Sequence, residues 1–259
     1  MDRWHEPGER PDAGAARARP FELGLLSMWT TAPRAVVFDC DGLLMDTEPC
    51  WTVAETELFA RRGLPFGPAQ KALVIGKSLP AAGAAMAEAF GEPGAGDALA
   101  AELLERVAEV VAARAEALPG ARELVDLVAE RVPFAVASNS PRALLDTALA
   151  RGGFSVEVSV AADEVAETKP APDLYLAACA ALDVVPGKAV AFEDSMTGVR
   201  SARAAGVPVI AVPTLAHLEL PADLVIGSLR DPRLLDWVRG WRCGRIRRTE
   251  VGIDSVDLC

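Results

Sequence analysis

The sequence predicts an α/β protein in which a doubly wound parallel sheet carries an inserted all-helical domain. Two observations predict the sheet: short β-branched runs recur along the chain, and helical patterns lie between them. Most of these runs are apolar at consecutive positions, as in strands that helices cover on both faces. A third observation predicts the insertion, because residues 47–117 show helical patterns and no convincing strand.

The predicted elements follow one another in a regular alternation outside the insertion. Strands are predicted at residues 35–41, 134–138, 156–161, 189–192, 207–212 and 224–226. Helices of the sheet domain are predicted at residues 118–131, 141–151, 172–182 and 196–205, and inserted helices at 47–63, 70–75, 79–90 and 97–117. In the first inserted helix, Thr47 is the expected N-cap, Pro49 lies in the first turn and Gly63 ends the helix.

The domain organisation follows from these elements. Residues 34–46 and 118–240 are expected to form the α/β core, and residues 47–117 the helical domain. Residues 1–33 and 241–259 are expected to be irregular tails, the first disordered, because neither shows a steady hydrophobic period. Translation from Met28 is a hypothesis that the intact mass of the native protein tests. The arginines clustered in the second tail favour a solvated segment over a basic docking patch.

Composition excludes several classes of function. Lys and Arg number 26 and Asp and Glu 37, so the net charge is −11, which disfavours a general binder of nucleic acid or anionic membranes. No apolar run reaches the roughly 18 residues of a membrane span. The five cysteines are scattered without a C-x-x-C pair, which suits reduced thiols in the cytoplasm. With only two histidines, a His-rich zinc site is excluded.

Acidic pairs end two of the predicted strands. Asp39 and Asp41 end the first strand on one face, and Glu193 and Asp194 end a later one. The carboxyl ends of parallel strands meet at one edge of the sheet, and acids buried there need a compensating cation. Oxygen ligands favour Mg²⁺, so these four residues are the predicted metal site. The alternatives are a solvated Asp-Gly turn and an ordinary helix start.

Groups compatible with a phosphate supply the third element of the site. Ser138 and Asn139 end a strand, and Pro141 suits the first position of the next helix, so a hydroxyl and a helix N-terminus face the sheet edge. Lys169 lies in a proline-rich loop and is the expected fixed cation beside the acids. The alternative is that Lys169 is an exposed surface lysine without a role in the site.

Taken together, Asp39-x-Asp41, Ser138, Lys169 and Glu193-Asp194 resemble the four motifs of the haloacid dehalogenase superfamily. The likeness runs from about residue 36 to residue 212, with the motifs in order and at strand ends. It implies a Rossmann-like core with a helical cap, similar to the branch of β-phosphoglucomutase and pseudouridine-5′-phosphatase. The implied activity is Mg²⁺-dependent hydrolysis of a small phosphorylated metabolite, a sugar phosphate or a nucleotide monophosphate, through an aspartyl-phosphate.

The resemblance also implies roles for individual residues. Asp39 would be the nucleophile, and Asp41 the general acid and base. Ser138 and Lys169 would hold the phosphoryl oxygens. The implied Mg²⁺ ligands are Asp39, the backbone carbonyl of Asp41, Asp194 and Glu193.

Asn139, Glu48 and Lys77 are the predicted substrate contacts, and the alternative for Lys77 is a surface residue without that contact. A dehalogenase is disfavoured because relatives of that activity lack the second aspartate, here Asp41. A phosphomutase is the first alternative, disfavoured because Trp51 stands about where β-phosphoglucomutase carries a histidine. A catalytically silent metabolite-binding protein is the second alternative, and a monomer or small homo-oligomer is expected in either case.

Overall fold

The computed structural model describes residues 32–75, 77–213 and 219–241. The predicted tails lie almost wholly outside these residues, as do the Met28 hypothesis and the predicted solvation of the clustered arginines. The fold is therefore described from the strand that begins at Ala35 to the helix that ends at Arg239.

A six-stranded sheet forms the centre of the core. Its strands are β1 (Ala35–Phe38), β4 (Phe134–Ala137), β5 (Val158–Val160), β6 (Ala189–Glu193), β7 (Val209–Ala211) and β8 (Leu224–Val225). All neighbouring strands are parallel, and the strand order is β5-β4-β1-β6-β7-β8. β1 lies between β4 and β6, with Phe38 opposite Phe192 in the register and their rings stacked at 5.3 Å.

Helices connect these strands. Those of the core are α5 (Ala121–Ala129), α6 (Arg142–Gly152), α7 (Asp173–Ala181), α8 (Met196–Ala204) and α9 (Pro232–Arg239). Those of the insertion are α1 (Glu48–Arg61), α2 (Pro68–Val74), α3 (Leu79–Phe90) and α4 (Gly96–Arg114). None of the described helices is both long and apolar enough to cross a membrane.

Side chains of β1 alternate between two apolar cores, one on each face of the sheet. Val36 and Phe38 pack with buried residues of α5, α6 and α9, whereas Ala35 and Val37 pack with those of α7 and α8. All four side chains are fully buried, which explains why the strand is apolar at consecutive positions. The predicted doubly wound sheet with an inserted helical domain is confirmed.

A two-stranded antiparallel ribbon joins the insertion to the core. Its strands are β2 (Met45–Asp46) and β3 (Glu116–Ala117), with Met45 opposite Ala117. The prediction that residues 47–117 contain no strand is therefore wrong at Glu116 and Ala117. A two-residue strand is too short to show a hydrophobic period, and its partner lies far away in the sequence.

The sequence prediction also missed α9. Its start carries recognisable signals, because the Asp231 carboxylate accepts a hydrogen bond from the Arg233 N–H and Pro232 occupies the first turn. The helix spans eight residues, so its hydrophobic period repeats only twice.

Candidate active site

The candidate site lies at the carboxyl ends of three neighbouring strands. Asp39 follows β1, Ser138 follows β4, and Glu193 is the last residue of β6. The Asp39 N–H donates to the carbonyl of Phe192, and the Ser138 N–H to that of Val160, so both residues continue the hydrogen bonding of the sheet. The sheet therefore brings the predicted motifs together at one edge.

A tight loop after β1 presents the second aspartate. The N–H groups of Leu44 and Met45 both donate to the carbonyl of Cys40, and Gly42 has φ +83°. A Cβ on Gly42 would overlap the Asp194 carboxylate. Glycine is thus required both for the turn and for the close approach of the acidic residue that follows β6.

Lys169 lies between two buried carboxylates. Its Nζ donates to Asp39 Oδ1 at 2.5 Å and to Glu193 Oε1 at 2.6 Å. Burial alone would lower the pKa of the Lys169 ammonium, but Asp39 and Glu193 outweigh burial and hold that pKa above its usual value. Lys169 is therefore a buried cation, as the sequence predicts, and not an exposed lysine.

The backbone of Lys169 is held by Asn139. The Asn139 amide oxygen accepts from the Lys169 N–H at 2.9 Å, and the amide nitrogen donates to the Lys169 carbonyl at 3.2 Å. Both polar ends of this side chain therefore position Lys169. The predicted contact between Asn139 and the substrate stays a prediction.

Glu193 is fully buried and surrounded by donors. Besides Lys169, Oε1 accepts from the hydroxyl of Tyr175 at 2.7 Å. Oε2 accepts from the backbone N–H and hydroxyl of Ser195 and from the N–H of Asp194. Burial and the neighbouring Glu193 raise the pKa of Tyr175 well above its usual value, so Tyr175 remains a donor.

Three hydroxyls hold the Asp41 carboxylate. Thr47 donates to Oδ1 at 2.8 Å, while Ser138 and Ser140 each donate to Oδ2 at 2.9 Å. Thr47 is the N-cap residue of α1, as predicted, but its side chain makes no capping bond there. The hydroxyl is used to orient Asp41 instead.

The acidic residues fit a hard divalent cation. Carboxylate oxygens of Asp39, Glu193 and Asp194 lie within 4.8 Å of one another, and oxygen is the donor that Mg²⁺ prefers. Burial and the neighbouring carboxylates raise the pKa of Asp39 well above its usual value, against the effect of Lys169, so Lys169 alone does not offset the cost of ionising these acids together. The Asp41 carboxylate does not belong to this cluster, so a metal contact by the Asp41 backbone carbonyl stays a prediction.

The predicted substrate contacts Glu48 and Lys77 line one cavity of about 180 Å³ in the inserted domain. Trp51 lines the same cavity. Glu48, which lines the cavity, directly follows Thr47 in the sequence, and the Thr47 hydroxyl donates to Asp41.

Sequence reasoning missed Ser140, Tyr175 and the hydroxyl role of Thr47. Ser140 lies two residues beyond Ser138 in the same turn, and Tyr175 lies six residues beyond Lys169 on α7. Tyr175 is the one tyrosine in the chain, and a single polar aromatic in an apolar helix is a signal that could have marked it.

Comparison with protein families gives the class of this chain. The model of the haloacid dehalogenase-like hydrolases matches residues 33–206. The chain belongs to that family, as its four motifs predict.

Two curated relatives are phosphatases by name. The chain is 34% identical over 186 residues to the fructose-1-phosphate phosphatase YqaB of Escherichia coli, covering 68% of this chain and 95% of the relative. It is also 34% identical over 186 residues to a Drosophila melanogaster protein named as a probable pseudouridine-5′-phosphatase, covering 68% of this chain and 80% of the relative. The predicted enzyme class, a hydrolase of phosphoric monoesters, is confirmed.

A solved structure shares the fold. The crystal structure of CbbY from Rhodobacter sphaeroides in complex with phosphate superimposes with a TM-score of 0.66 at 28% identity. The superposition covers 76% of this chain and 95% of CbbY.

Tyr175→Phe removes a hydroxyl from a buried carboxylate and leaves the ring in place. Hydrogen bonds to charged groups contribute about 1.5–3 kcal/mol, so we expect the free energy of unfolding to fall by that amount. Urea denaturation measures it. The matched control is Ser201→Ala, which removes a buried hydroxyl that donates to the neutral carbonyl of Ala171 and should cost about 1 kcal/mol. An equal loss in the two variants would contradict the role of Tyr175.

Proposed function

We propose that this protein is a Mg²⁺-dependent phosphatase of a small phosphorylated metabolite, a sugar phosphate or a nucleotide monophosphate. The observation that carries the proposal is the buried array at the sheet edge, in which Lys169 lies between Asp39 and Glu193 and Asp194 is adjacent. Its cation and carboxylates offer the groups that phosphoryl transfer needs, since that reaction depends on positioning and charge stabilisation.

In the first step, a carboxylate oxygen of Asp39 attacks the phosphorus of the ester. A bond forms between this oxygen and phosphorus while the bond to the leaving oxygen breaks, and Asp41 donates a proton to that oxygen. The products are an aspartyl-phosphate at Asp39 and the free alcohol. Lys169 holds the phosphoryl oxygens, and the Ser138 hydroxyl, which donates to Asp41 Oδ2 in this structure, would turn to them when the substrate binds.

In the second step, water attacks the phosphorus of the aspartyl-phosphate. Asp41, now ionised, takes a proton from that water, so it returns to its starting state. The bond between phosphorus and the Asp39 oxygen breaks, and inorganic phosphate leaves. The hydroxyls of Thr47 and Ser140 hold Asp41 where both proton transfers need it.

The proposed metal ligands are Asp39, Asp194, the backbone carbonyl of Asp41 and Glu193. When bound, Mg²⁺ supplies positive charge that offsets the repulsion between the phosphoryl group and these carboxylates. Both oxygens of Glu193 also accept hydrogen bonds from protein groups, so Glu193 holds Lys169 in place as well.

The proposed domains are a core of residues 34–46 and 118–240 and a cap of residues 47–117. The Leu118 N–H donates to the Leu44 carbonyl at 2.9 Å, next to the ribbon that joins core and cap. Closure of the cap about Thr47 and Leu118 would exclude water from the site. The proposed partner is the metabolite alone, without nucleic acid or membrane, and the three described free cysteines suit the cytoplasm.

The proposed activity is tested by phosphate release from a broad panel of phosphorylated metabolites. We expect release with Mg²⁺, none with excess EDTA, and none from Asp39→Asn at any Mg²⁺ concentration, because an amide is a poor nucleophile. Asp126→Asn, the same change at an exposed residue, should keep full activity. Turnover by Asp39→Asn would refute the nucleophile, and transfer of phosphate between sugar positions would indicate a phosphomutase.

Lys169→Ala tests the buried cation. We expect kcat to fall by about 10²–10³, the effect of removing one donor that stabilises transition-state charge. Steady-state kinetics on folded protein, checked by circular dichroism, measure the loss. The control Lys188→Ala removes an exposed lysine and should change kcat less than about twofold. A loss below tenfold for Lys169→Ala would mean that Lys169 does not contact the phosphoryl group.

A further inference from the structure

Tyr175 contacts both Lys169 and Glu193, although it lies outside the four motifs. It lies on α7, six residues beyond Lys169, and its side chain is fully buried. Its hydroxyl donates to Glu193 Oε1 at 2.7 Å, and Lys169 Nζ lies over its ring, 5.2 Å from the ring centroid. Neither contact takes part in the proposed attack on phosphorus or in the proposed proton transfers.

The Tyr175 hydroxyl and the Lys169 ammonium donate to the same carboxylate oxygen. Glu193 Oε1 accepts from Lys169 Nζ at 2.6 Å as well as from Tyr175. The other oxygen, Oε2, accepts from Asp194 and Ser195. The Glu193 carboxylate therefore cannot rotate without losing several hydrogen bonds, and Tyr175 fixes the oxygen to which Lys169 is bound.

The ring of Tyr175 restricts the ammonium from a second direction. A lysine ammonium is a point charge on a flexible four-carbon stem, so hydrogen bonds to two carboxylates leave it some freedom. The face of an aromatic ring attracts a cation and also fills the space on its own side. The ring thus keeps the Lys169 Nζ close to Asp39 and Glu193.

One donor of Lys169 is left for a ligand. An ammonium has three N–H groups, and among the residues that the structure describes Lys169 Nζ donates to Asp39 and Glu193. In the proposed reaction the third N–H meets a phosphoryl oxygen. A donor stabilises the charge of the transition state best when its geometry is set in advance.

From these contacts we propose that Tyr175 is a positioning residue, which aims the third N–H of Lys169 at the phosphoryl group. It does so by fixing Glu193 Oε1 with its hydroxyl and by confining the ammonium with its ring. The proposal rests on the proposed function, since the aim of Lys169 matters only if a phosphoryl group lies beside it. A tyrosine that merely filled the core would change the stability of the protein but not the rate per folded molecule.

The first test is Tyr175→Phe, which removes the hydroxyl and keeps the ring. We expect kcat per folded molecule to fall about tenfold, less than the roughly 10²–10³ expected when a donor is removed altogether. KM should stay within about twofold, because the lost interaction belongs to the transition state. The matched control is Cys179→Ala, which truncates another buried side chain of α7 and should keep kcat within about twofold. A loss in Tyr175→Phe below about threefold overturns the proposal.

The second test shows whether Tyr175 acts through Lys169. With Lys169→Ala already in place there is no ammonium to aim, so Tyr175→Phe should lower kcat less than about twofold further. Independent effects would multiply, so a loss of about tenfold in both backgrounds overturns the proposal. An effect that passed through a metal at Glu193 would also persist without Lys169, and the same comparison detects it.

The wild-type protein provides a measurement that needs no variant, because Tyr175 is the only tyrosine of the chain. Labelling tyrosine with ¹³C at Cζ gives one resonance in the NMR spectrum. Orthovanadate resembles the transferred phosphoryl group, and its addition to protein with Mg²⁺ should shift this resonance, because Lys169 then shares Glu193 Oε1 less closely with Tyr175. A resonance that stays in place while orthovanadate inhibits turnover overturns the proposal.

Failure of this proposal is distinguishable from failure of the proposed function. Wild-type turnover together with losses that multiply overturns the positioning role of Tyr175 and leaves the phosphatase standing. No phosphate release by the wild type from any compound of the panel overturns both.

Discussion

The pairing of Lys169 with Asp39 and Glu193 is the interaction on which the candidate site depends. Several carboxylates are buried at one edge of the sheet, and each would be costly there without a compensating charge. Removing one partner of such a buried pair costs about 3–5 kcal/mol, far more than an exposed ion pair contributes. The sheet edge can therefore hold its acids only because Lys169 is present, and the remaining negative charge is what favours a metal.

Most other contacts of the site hold Lys169 and its carboxylate partners in place. Asn139 fixes the backbone of Lys169, and Tyr175 and Ser195 occupy the remaining positions around Glu193. Gly42 leaves room for the Asp194 carboxylate. Asp41 belongs to a separate set of hydroxyl contacts, so the proposed proton donor is held apart from the Lys169 pair. The ion pairs of Lys169 thus stabilise the buried charges, and the hydroxyl contacts position Asp41, the proposed proton donor.

The sequence predicted the parts of this account that depend on local pattern. Buried strands such as β1 are apolar at every position, and the acids at their ends were identified because parallel strands place their carboxyl ends together. It could not predict β3, whose hydrogen bonds come from a partner more than 60 residues away. Nor could it predict that the hydroxyl of Thr47, which is the N-cap residue of α1, donates to Asp41 instead of to the first turn of the helix, because both uses need the same hydroxyl. Lys71 Nζ on α2 contacts Glu48 Oε1 and Glu55 Oε2 on α1, each at 2.8 Å, and this pairing likewise depends on how the two helices pack.

In the proposed mechanism, Asp39 forms a covalent bond to phosphorus. Borohydride added during turnover reduces an acyl phosphate, and peptide mass spectrometry then locates the altered residue. The account predicts reduction at Asp39 alone, dependent on substrate, and none at Asp41 or Asp194. Reduction at either of those residues, or full turnover with Asp39 unaltered under conditions that trap acyl phosphates, would contradict it.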